Sequence, residues 1–275
     1  MESNSPQNTA VNPYQPPATE VLTAPRIDSP GSLIPDGRAV AASHGWDWIA
    51  GGWRIFAQSP LKWVLMSVTF FVLIMVLSVI PGVSLLVYLG TPVLMAGFVI
   101  GADHLRRGES LEIGHLFAGF KRNFSSLLAI GGIYLGSIVA VIMIVGLLGA
   151  ILFFVGGGWS GMGNLRSLSD LLASGFIFKM LLLVLLALAA IVPVMMAMWF
   201  APALVVMHDI PAVNAMIMSF KGCLKNFLPF LVYGLLASVI MVISMIPLGL
   251  GLFITWPMLY TALYASYRDI FVAPE

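Results

Sequence analysis

The feature that most limits the fold of this chain is a series of six long apolar stretches separated by short polar segments. The stretches cover residues 63–80, 83–101, 125–155, 177–206, 228–246 and 250–267. A helix needs about 20 predominantly apolar residues to cross the hydrocarbon core of a bilayer. The third and fourth stretches are longer than that, so we expect them to tilt, kink or protrude. The sequence therefore predicts six transmembrane helices.

The composition agrees with a membrane protein. Of 275 residues, 60% are hydrophobic and only 9% are charged, whereas about a quarter of the residues in an ordinary globular domain are charged. A net charge of +1 gives no indication of nucleic-acid binding. The single cysteine, Cys223, excludes an internal disulfide framework and a four-cysteine zinc site. We predict an all-α, polytopic membrane helix bundle with no cofactor.

The first 42 residues differ in composition from the rest of the chain. They are rich in Pro, Ser, Asn, Thr and Ala and have too few apolar groups to offset the entropy lost on ordering. We therefore predict a disordered cytosolic tail over residues 1–42 and a six-span membrane domain over residues 43–275. The Pro-rich segment at residues 12–17 is either part of a plain tether or a docking peptide for a protein partner.

The distribution of Lys and Arg predicts the orientation of the spans. Only Arg166 and Lys179 fall on the side of the membrane opposite to the termini. Because cytoplasmic loops carry an excess of basic residues, the sequence predicts a protein of the bacterial cytoplasmic (inner) membrane with both termini in the cytoplasm. Eleven basic residues fall on the terminal side: Arg26, Arg38, Arg54, Lys62, Arg106, Arg107, Lys121, Arg122, Lys221, Lys225 and Arg268.

The six spans form three hairpins whose sequences resemble one another. An amphipathic stretch with a basic edge precedes each hairpin, and its apolar residues recur at helical spacing. Such a stretch is either a helix lying in the cytosolic interface of the membrane or a helix packed on the bundle. The three apolar stripes are Trp46, Ile49, Trp53 and Phe56; Ile113, Leu116, Phe117, Phe120 and Phe124; and Val213, Met216, Ile217, Phe220, Leu224 and Phe227.

The second span of each hairpin contains a proline and ends near an aspartate. Proline inside a helix removes a backbone hydrogen bond and introduces a kink. The repeat is explained either by a duplication that produced a stable bundle or by a central cavity at which the repeats meet. The prolines are Pro92, Pro202 and Pro257, and the aspartates are Asp103, Asp209 and Asp269.

Four short motifs carry a family resemblance: Asn12-Pro13-Tyr14, Gly52-Trp53-Arg54-Ile55-Phe56, Leu116-Phe117-Ala118-Gly119-Phe120 and Ser219-Phe220-Lys221. With them the chain resembles an uncharacterised family of bacterial six-span membrane proteins. This resemblance covers most of the chain and implies a structure rather than an activity. The chain is also distantly similar to the membrane domain attached to some glycerophosphodiester phosphodiesterases. In such enzymes the chemistry belongs to a soluble barrel, so this similarity implies no catalysis.

Charged residues are absent from the interiors of spans one, two, three, five and six. In the fourth span, Lys179 lies at the outer end, where its side chain can extend to the interface. Ion-coupled transporters and proton relays place ionisable groups inside the bundle. The sequence therefore argues against ion coupling and leaves open the passage of an apolar or lipid-like molecule.

The best candidates for chemistry are two pairs, Asp103-His104 and His208-Asp209, at the predicted cytosolic ends of spans two and four. Imidazole and carboxylate groups together favour a metal ion. Neighbouring residues on a helix point in different directions, however, so neither pair forms one ligand face. We expect these four residues to be interfacial polar groups that end helices and face the basic loops, and we predict no catalytic or metal site.

Four basic residues, Arg106, Arg107, Lys121 and Arg122, cluster next to the membrane between spans two and three. Attraction to anionic headgroups is worth about 1 kcal/mol per basic residue near the surface. The cluster is predicted to contact lipid headgroups, either as a specific site or as a nonspecific anchor.

Three functional hypotheses follow from these features. The first is a non-enzymatic protein that interacts with other proteins, assists assembly or organises lipid, as the tail, the amphipathic stretches and the uncharged spans indicate. The second is a transporter or permease for a hydrophobic or lipid-like molecule, as the repeat and the prolines indicate. The third, an enzyme acting on lipid at the cytosolic interface, depends on the two His–Asp pairs. We favour the first, with membrane lipids and a protein partner bound through the tail as predicted partners.

Overall fold

The computed structural model describes residues 31–80, 82–155 and 175–273. The regular structure of this part is helical, with an isolated bridge between Leu33 and Val272 outside the helices. A 3-10 helix spans Ile113–Phe117. The α-helices are α1 (His44–Ala57), α2 (Pro60–Val79), α3 (Ser84–Arg106), α4 (Ala118–Lys121), α5 (Phe124–Val155), α6 (Phe176–Trp199), α7 (Ala201–His208), α8 (Ala212–Lys225), α9 (Phe227–Met245) and α10 (Leu252–Phe271). The prediction of an all-α bundle is confirmed.

Five helical segments in the described part are long and apolar enough to cross a membrane: Pro60–Val79, Leu85–Arg106, Phe124–Val155, Ile177–His208 and Phe227–Met245. They correspond to the first five predicted spans. The sixth predicted span, residues 250–267, falls on α10, a helix of 20 residues that is not among these five segments. Its tyrosines together with Arg268 and Asp269 make α10 less apolar than the other five. These helices fit a polytopic membrane bundle.

The long helices pair into three hairpins, α2–α3, α5–α6 and α9–α10. A short helical segment precedes each one: α1, the 3-10 helix with α4, and α8. The turn between α9 and α10 places Leu248 and Gly249 at positive φ, a conformation that glycine adopts without strain. Pro81 of the first predicted turn and the long loop between α5 and α6 lie outside the described residues.

Each short segment packs mainly on the second long helix of a neighbouring hairpin. α1 runs along α10, where the Thr261 hydroxyl donates a hydrogen bond of 2.8 Å to the Gly52 carbonyl. The 3-10 helix and α4 pack on α3, where Gly97 faces the backbone of Leu116. α8 runs along α6 and α7 and contacts them through Ser219. The hairpins are thereby linked in a ring, because α1 of the first hairpin contacts α10 of the third.

One residue pattern recurs in the three short segments: a small residue, an aromatic residue and a basic residue in succession. The three copies are Gly52-Trp53-Arg54, Gly119-Phe120-Lys121 and Ser219-Phe220-Lys221. Small residues let two helix backbones approach closely. In α1, a β-carbon on Gly52 would come within 2.6 Å of the Ala262 backbone nitrogen. The sequence similarity between the hairpins therefore reflects a shared packing role.

The apolar stripes of the short segments are divided between the bundle and its outside. In α1, Ile49 is buried and Trp53 is 52% exposed. In α8, Met216 is buried and Ile217 is 48% exposed, and the 3-10 helix buries Leu116. The interpretation of a helix packed on the bundle therefore holds for one side of each stripe, and the interpretation of a helix in the membrane interface stays a prediction. Each segment packs on the bundle with one side and leaves a second apolar side uncovered.

The buried core lies at one end of the bundle, which we call the polar end. It is formed by the first half of α2, the C-terminal parts of α3 and α10, α7, the start of α5 and the short segments, and the partly buried Leu33 and Val40 pack against it. The opposite end is far less buried, and the most apolar segments of α5 and α6 contain no buried residue. The largest fully buried side chains at the polar end include Trp48, Phe98, Phe200, Tyr264, Tyr267 and Phe271.

The last part of the predicted tail packs on the membrane domain. The Ile34 backbone N–H donates a hydrogen bond of 2.8 Å to the Phe271 carbonyl, and the Arg38 N–H donates one of 2.9 Å to Ile270. These bonds hold Ile34 and Arg38 against the end of α10, although composition alone assigns both residues to a disordered tail. The ordered domain thus begins before residue 43, and the Pro-rich segment lies outside the described residues.

Candidate functional site

Asp103 is a buried carboxylate near the end of α3, only 5% exposed. It accepts a hydrogen bond of 2.7 Å from the Tyr264 hydroxyl and pairs with Arg106 at 3.3 Å and Arg107 at 3.0 Å. A buried charge is tolerated when it is paired and hydrogen-bonded. Asp103 therefore has the contacts of a structural carboxylate: its ion pairs lie at the end of α3, and the hydrogen bond from Tyr264 joins α3 to α10.

Two of the four basic residues predicted to contact headgroups are turned toward Asp103. The side chains of Arg106 and Arg107 are 25% and 17% exposed. Lys121 and Arg122, just before α5, are exposed. The accessible positive charge of the predicted cluster therefore resides mainly on Lys121 and Arg122.

His104 contacts the loop that follows α3. Its Nδ1 pairs with the Glu109 carboxylate, and its ring centroid lies 4.3 Å from that of His115. The Nδ1 of His115 accepts a hydrogen bond of 3.2 Å from the Glu112 backbone N–H. Burial and the neighbouring His104 lower the pKa of His115, so its ring is neutral at pH 7.

His208 and Asp209 have partners of their own at the end of α7. His208 Nε2 lies 2.6 Å from the Tyr267 hydroxyl. The Asp209 carboxylate accepts a hydrogen bond of 2.9 Å from the Asn123 amide and lies 3.7 Å from Arg122. The two His–Asp pairs therefore do not converge on one point. Across the described residues, no group of three or more His, Cys, Asp or Glu side chains is placed to hold a metal.

Asp269, near the end of α10, is the centre of a further group of polar side chains, which we call the Asp269 cluster. Its carboxylate pairs with Arg38 and accepts hydrogen bonds from His44 Nδ1 at 2.7 Å and Trp48 Nε1 at 2.8 Å. Burial acts to raise the pKa of Asp269, but the hydrogen bonds from Trp48, His44 and Arg38 outweigh it and hold that pKa below its ordinary value of 3.8. The cluster joins residues before and within α1 to the end of the last helix.

Replacing Asp269 by asparagine is expected to lower the free energy of unfolding by about 2 kcal/mol at neutral pH, because three donors lose a charged acceptor. The measurement is thermal unfolding in detergent. Asp47→Asn serves as the control, since Asp47 lies in the same helix as His44 and Trp48 and is exposed. An equal effect of the two substitutions would contradict the structural role of the cluster.

A comparison of the wild-type protein with Asp269→Asn, by thermal unfolding at a series of pH values, tests how stability depends on pH. The folded-state pKa of Asp269 is depressed, so its carboxylate stabilises the fold above the unfolded pKa and this stability is lost as pH falls through the folded pKa. Wild-type stability should therefore decline below about pH 4. The Asp269→Asn variant should show a shallower decline in the same range.

The three predicted helix-breaking prolines occupy two settings. Pro92 and Pro257 lie inside continuous helices. Pro202 follows a break between α6 and α7, and the Ser219 hydroxyl fills that break. It accepts a hydrogen bond of 2.9 Å from the Phe200 N–H and donates one of 2.6 Å to the Met196 carbonyl, two groups that bond directly in a regular helix. A side chain of the third hairpin thus completes the backbone of the second.

Three residues of the polar clusters and of the helix break, Asp269, Ser219 and Tyr264, were not among the candidate site residues predicted from the sequence. Asp269 and Ser219 occur in the repeated motifs, so their recurrence was a usable signal. Tyr264 had none, because a tyrosine in an apolar helix is unremarkable until a buried carboxylate is found beside it.

Comparisons with known proteins give one informative relationship. No protein-family profile matches the chain, and no solved structure matches it. The chain is 30% identical over 266 residues to a protein of Burkholderia thailandensis described as a probable inner membrane protein, and the match covers 86% of this chain and 94% of that relative. The distant similarity to phosphodiesterase membrane domains stays a prediction. This polytopic helical membrane protein therefore belongs to the same family as the probable inner membrane protein of Burkholderia thailandensis.

Proposed function

We propose that this protein is a non-enzymatic component of the bacterial cytoplasmic membrane that organises lipid or holds a protein partner at the cytoplasmic face. In this proposal both termini lie in the cytoplasm, and the polar end of the bundle is the cytoplasmic end. The observation that carries it is the uncovered apolar side of the short segments. Trp53 is 52% exposed and Phe120 is 48% exposed, and each precedes a basic residue.

Aromatic rings next to basic residues suit the headgroup region of a membrane. Tryptophan prefers that depth, an exposed phenylalanine adds apolar area that lipid can cover, and Lys or Arg beside either ring attracts anionic lipids. Three such sites around one end of the bundle would bind a belt of lipid or present three equivalent contacts to a partner. The repeated small–aromatic–basic pattern supports this role, since its small residue fixes the ring and the charge relative to the bundle.

The polar clusters support a role without catalysis. The Asp103 carboxylate is engaged by Tyr264 and two arginines, and Asp269 is engaged by three donors. A catalytic acid or base needs a group that can reach its substrate. These carboxylates instead join elements of the fold.

Transport of an apolar or lipid-like molecule is the alternative, and the helix break before Pro202 is the observation that favours it. Transport has less support than the binding role, because bulky buried rings fill the polar end, where the second helices of the hairpins meet and a path would have to pass. These rings include Phe200 and Tyr264. Replacing Pro202 by alanine should leave the proposed binding role intact and would impair a transporter that depends on the break.

The orientation is tested with single cysteines. Cys223 is buried, and burial raises the pKa of its thiol to about 12, so the parent protein should resist maleimide. We expect a membrane-impermeant maleimide to label Leu248→Cys, in the fully accessible turn before α10, in spheroplasts. Ser110→Cys, in the exposed loop after α3, should be labelled only after lysis. The reverse pattern would overturn the proposed orientation.

The proposed function is tested by purifying the protein in mild detergent and identifying retained lipids and proteins by mass spectrometry. We expect wild-type protein to retain lipid or a protein partner at near-stoichiometric amounts. The double variant Trp53→Ala, Phe120→Ala should lose most of it. The control double variant Leu235→Ala, Val242→Ala, on the exposed face of α9, should not. Wild-type protein that retains neither lipid nor partner would refute the proposal.

A further inference from the structure

An apolar groove lies where α8 packs against α5 and α6. Its volume is about 310 Å³. Its lining consists of Ile133, Ala197, Val213, Met216, Ile217 and Phe220, which are all apolar. The four residues from α8 recur at spacings of three and four, so the groove follows one face of that helix. Ile133, Val213 and Ile217 are between 39% and 56% exposed, so the groove opens to the surroundings of the protein.

The size of the groove limits what can occupy it. A helix with its side chains is about 10–12 Å in diameter and would need several times this volume over two turns. Small-molecule pockets begin at roughly 300 Å³, which a single flexible hydrocarbon chain can fill. The surroundings of the long helices are lipid, so an acyl chain is the occupant that matches both the volume and the lining.

Positive charge lies at one end of the groove. Lys121 ends α4, and Arg122 lies two residues before Phe124, the first residue of α5. Ile133 lies nine residues after Phe124, or about 13 Å along the helix axis. Arg122 is also 3.7 Å from Asp209, which lies four residues before Val213. A lipid with its phosphate beside Arg122 would therefore extend its chain along α5 toward Ile133.

The local charge favours an anionic headgroup. Lys121 and Arg122 carry two positive charges, and Asp209 carries one negative charge. The Arg122 and Asp209 side chains are 52% and 68% exposed, and ion pairs of that exposure contribute little. A guanidinium group has five N–H donors, so Arg122 can contact a phosphate without leaving Asp209.

We propose that this groove binds one acyl chain of an anionic phospholipid whose headgroup contacts Arg122 and Lys121. The inference rests on the proposed lipid-organising role and names its site and its lipid class. One net positive charge at the membrane surface corresponds to about a fivefold preference for an anionic over a zwitterionic lipid, from about 1 kcal/mol per basic residue.

The test uses photo-crosslinking in vesicles of phosphatidylcholine with a minority of phosphatidylglycerol. One probe is a phosphatidylglycerol with a diazirine on its acyl chain, and the other is the matched phosphatidylcholine. Labelled peptides are identified by mass spectrometry. We expect the anionic probe to label the peptides containing Ile133 and residues 213–220 about fivefold more than the zwitterionic probe does.

Variants separate the groove from the charge. Ala197→Phe should fill the groove and remove labelling by both probes, whereas Ala189→Phe, at an exposed position on the same helix, should not. Ile217→Trp, at the half-exposed edge, is a second filling variant should Ala197→Phe fail to fold. Arg122→Gln should abolish the preference between probes. Asp209→Asn should raise it by about a further fivefold, since it removes the one opposing charge.

Equal labelling by the two probes, or groove peptides labelled no more than those of α9, would overturn the inference. So would groove-filling variants that leave the labelling unchanged. These outcomes leave the proposed function standing if purified wild-type protein still retains lipid or a partner. Loss of retention in the purified protein would count against the proposed function itself.

Discussion

Replacing Gly131 by alanine should destabilise the folded protein by about 3 kcal/mol, at the upper end of the usual effect of overpacking. Gly131 lies where α5 crosses α3, and a β-carbon there would come within 2.9 Å of the Leu89 Cα. The obstacle is backbone, so neither helix can relieve the clash by changing a rotamer. The melting temperature in detergent is the measurement.

Gly136 on the same helix provides the matched control. A β-carbon at Gly136 would meet nothing within 4 Å, so Gly136→Ala should leave stability unchanged or raise it by up to about 1 kcal/mol through helix propensity. If the two variants melted at the same temperature, the α3–α5 contact would not be the one that the structure shows. A lower melting temperature for Gly136→Ala alone would indicate that this position contacts a second chain.

Replacing Ser219 by alanine should cost about 3 kcal/mol of unfolding free energy, because the Phe200 N–H and the Met196 carbonyl both lose a buried partner. Each unsatisfied buried group costs about 1–3 kcal/mol. Ser219 is fully buried, so water cannot take the place of the hydroxyl without opening the contact between α8 and the break.

Ser238→Ala is the control for Ser219→Ala. The Ser238 hydroxyl bonds to the Gly234 carbonyl within α9 and is exposed, so its loss leaves no orphaned group. Thermal unfolding of the two variants should differ clearly. Similar melting temperatures would show that α6 and α7 re-form a direct hydrogen bond when the hydroxyl is absent.

The number and pairing of the long helices could be predicted from the sequence because the bilayer imposes a length on each span. Loops and turns between them were visible as breaks in hydropathy. α10 was harder to place, since Arg268 and Asp269 extend the same helix beyond its apolar part. The tail boundary was misplaced for a related reason. Composition does not reveal that the backbone N–H groups of Ile34 and Arg38 bond to the carbonyls of Phe271 and Ile270 at the end of α10.

The arrangement of the short segments was predictable only in part. Their helical periodicity identified an apolar side, but periodicity does not distinguish burial against protein from burial in lipid. In α8, Met216 contacts the bundle while Ile217 faces outward, and adjacent stripe positions therefore have different environments. The small residue before each aromatic ring was the missing signal, since Gly52 and Gly119 permit the close approach that orients the segment.

The polar candidates show what residue type alone can and cannot predict. Asp103 and Asp209 do lie at helix ends, yet their hydrogen-bond partners are distant in sequence. Asp103 bonds to Tyr264 in the last helix, and Asp209 bonds to Asn123, the residue before α5. Such pairings depend on the three-dimensional ring of hairpins. A single sequence does not show that Asp103 and Tyr264 are close in space.

The ring of hairpins has a consequence for the order in which the protein can be completed during synthesis. α1 packs mainly on α9 and α10, and the Asp269 carboxylate that binds Arg38, His44 and Trp48 lies in α10, so these partners leave the ribosome only after the first two hairpins. Most of the surface that covers α1 is therefore absent until the third hairpin has been synthesised. A chain that stops early would keep the apolar side of α1 uncovered, and this would mark it for chaperones and membrane proteases.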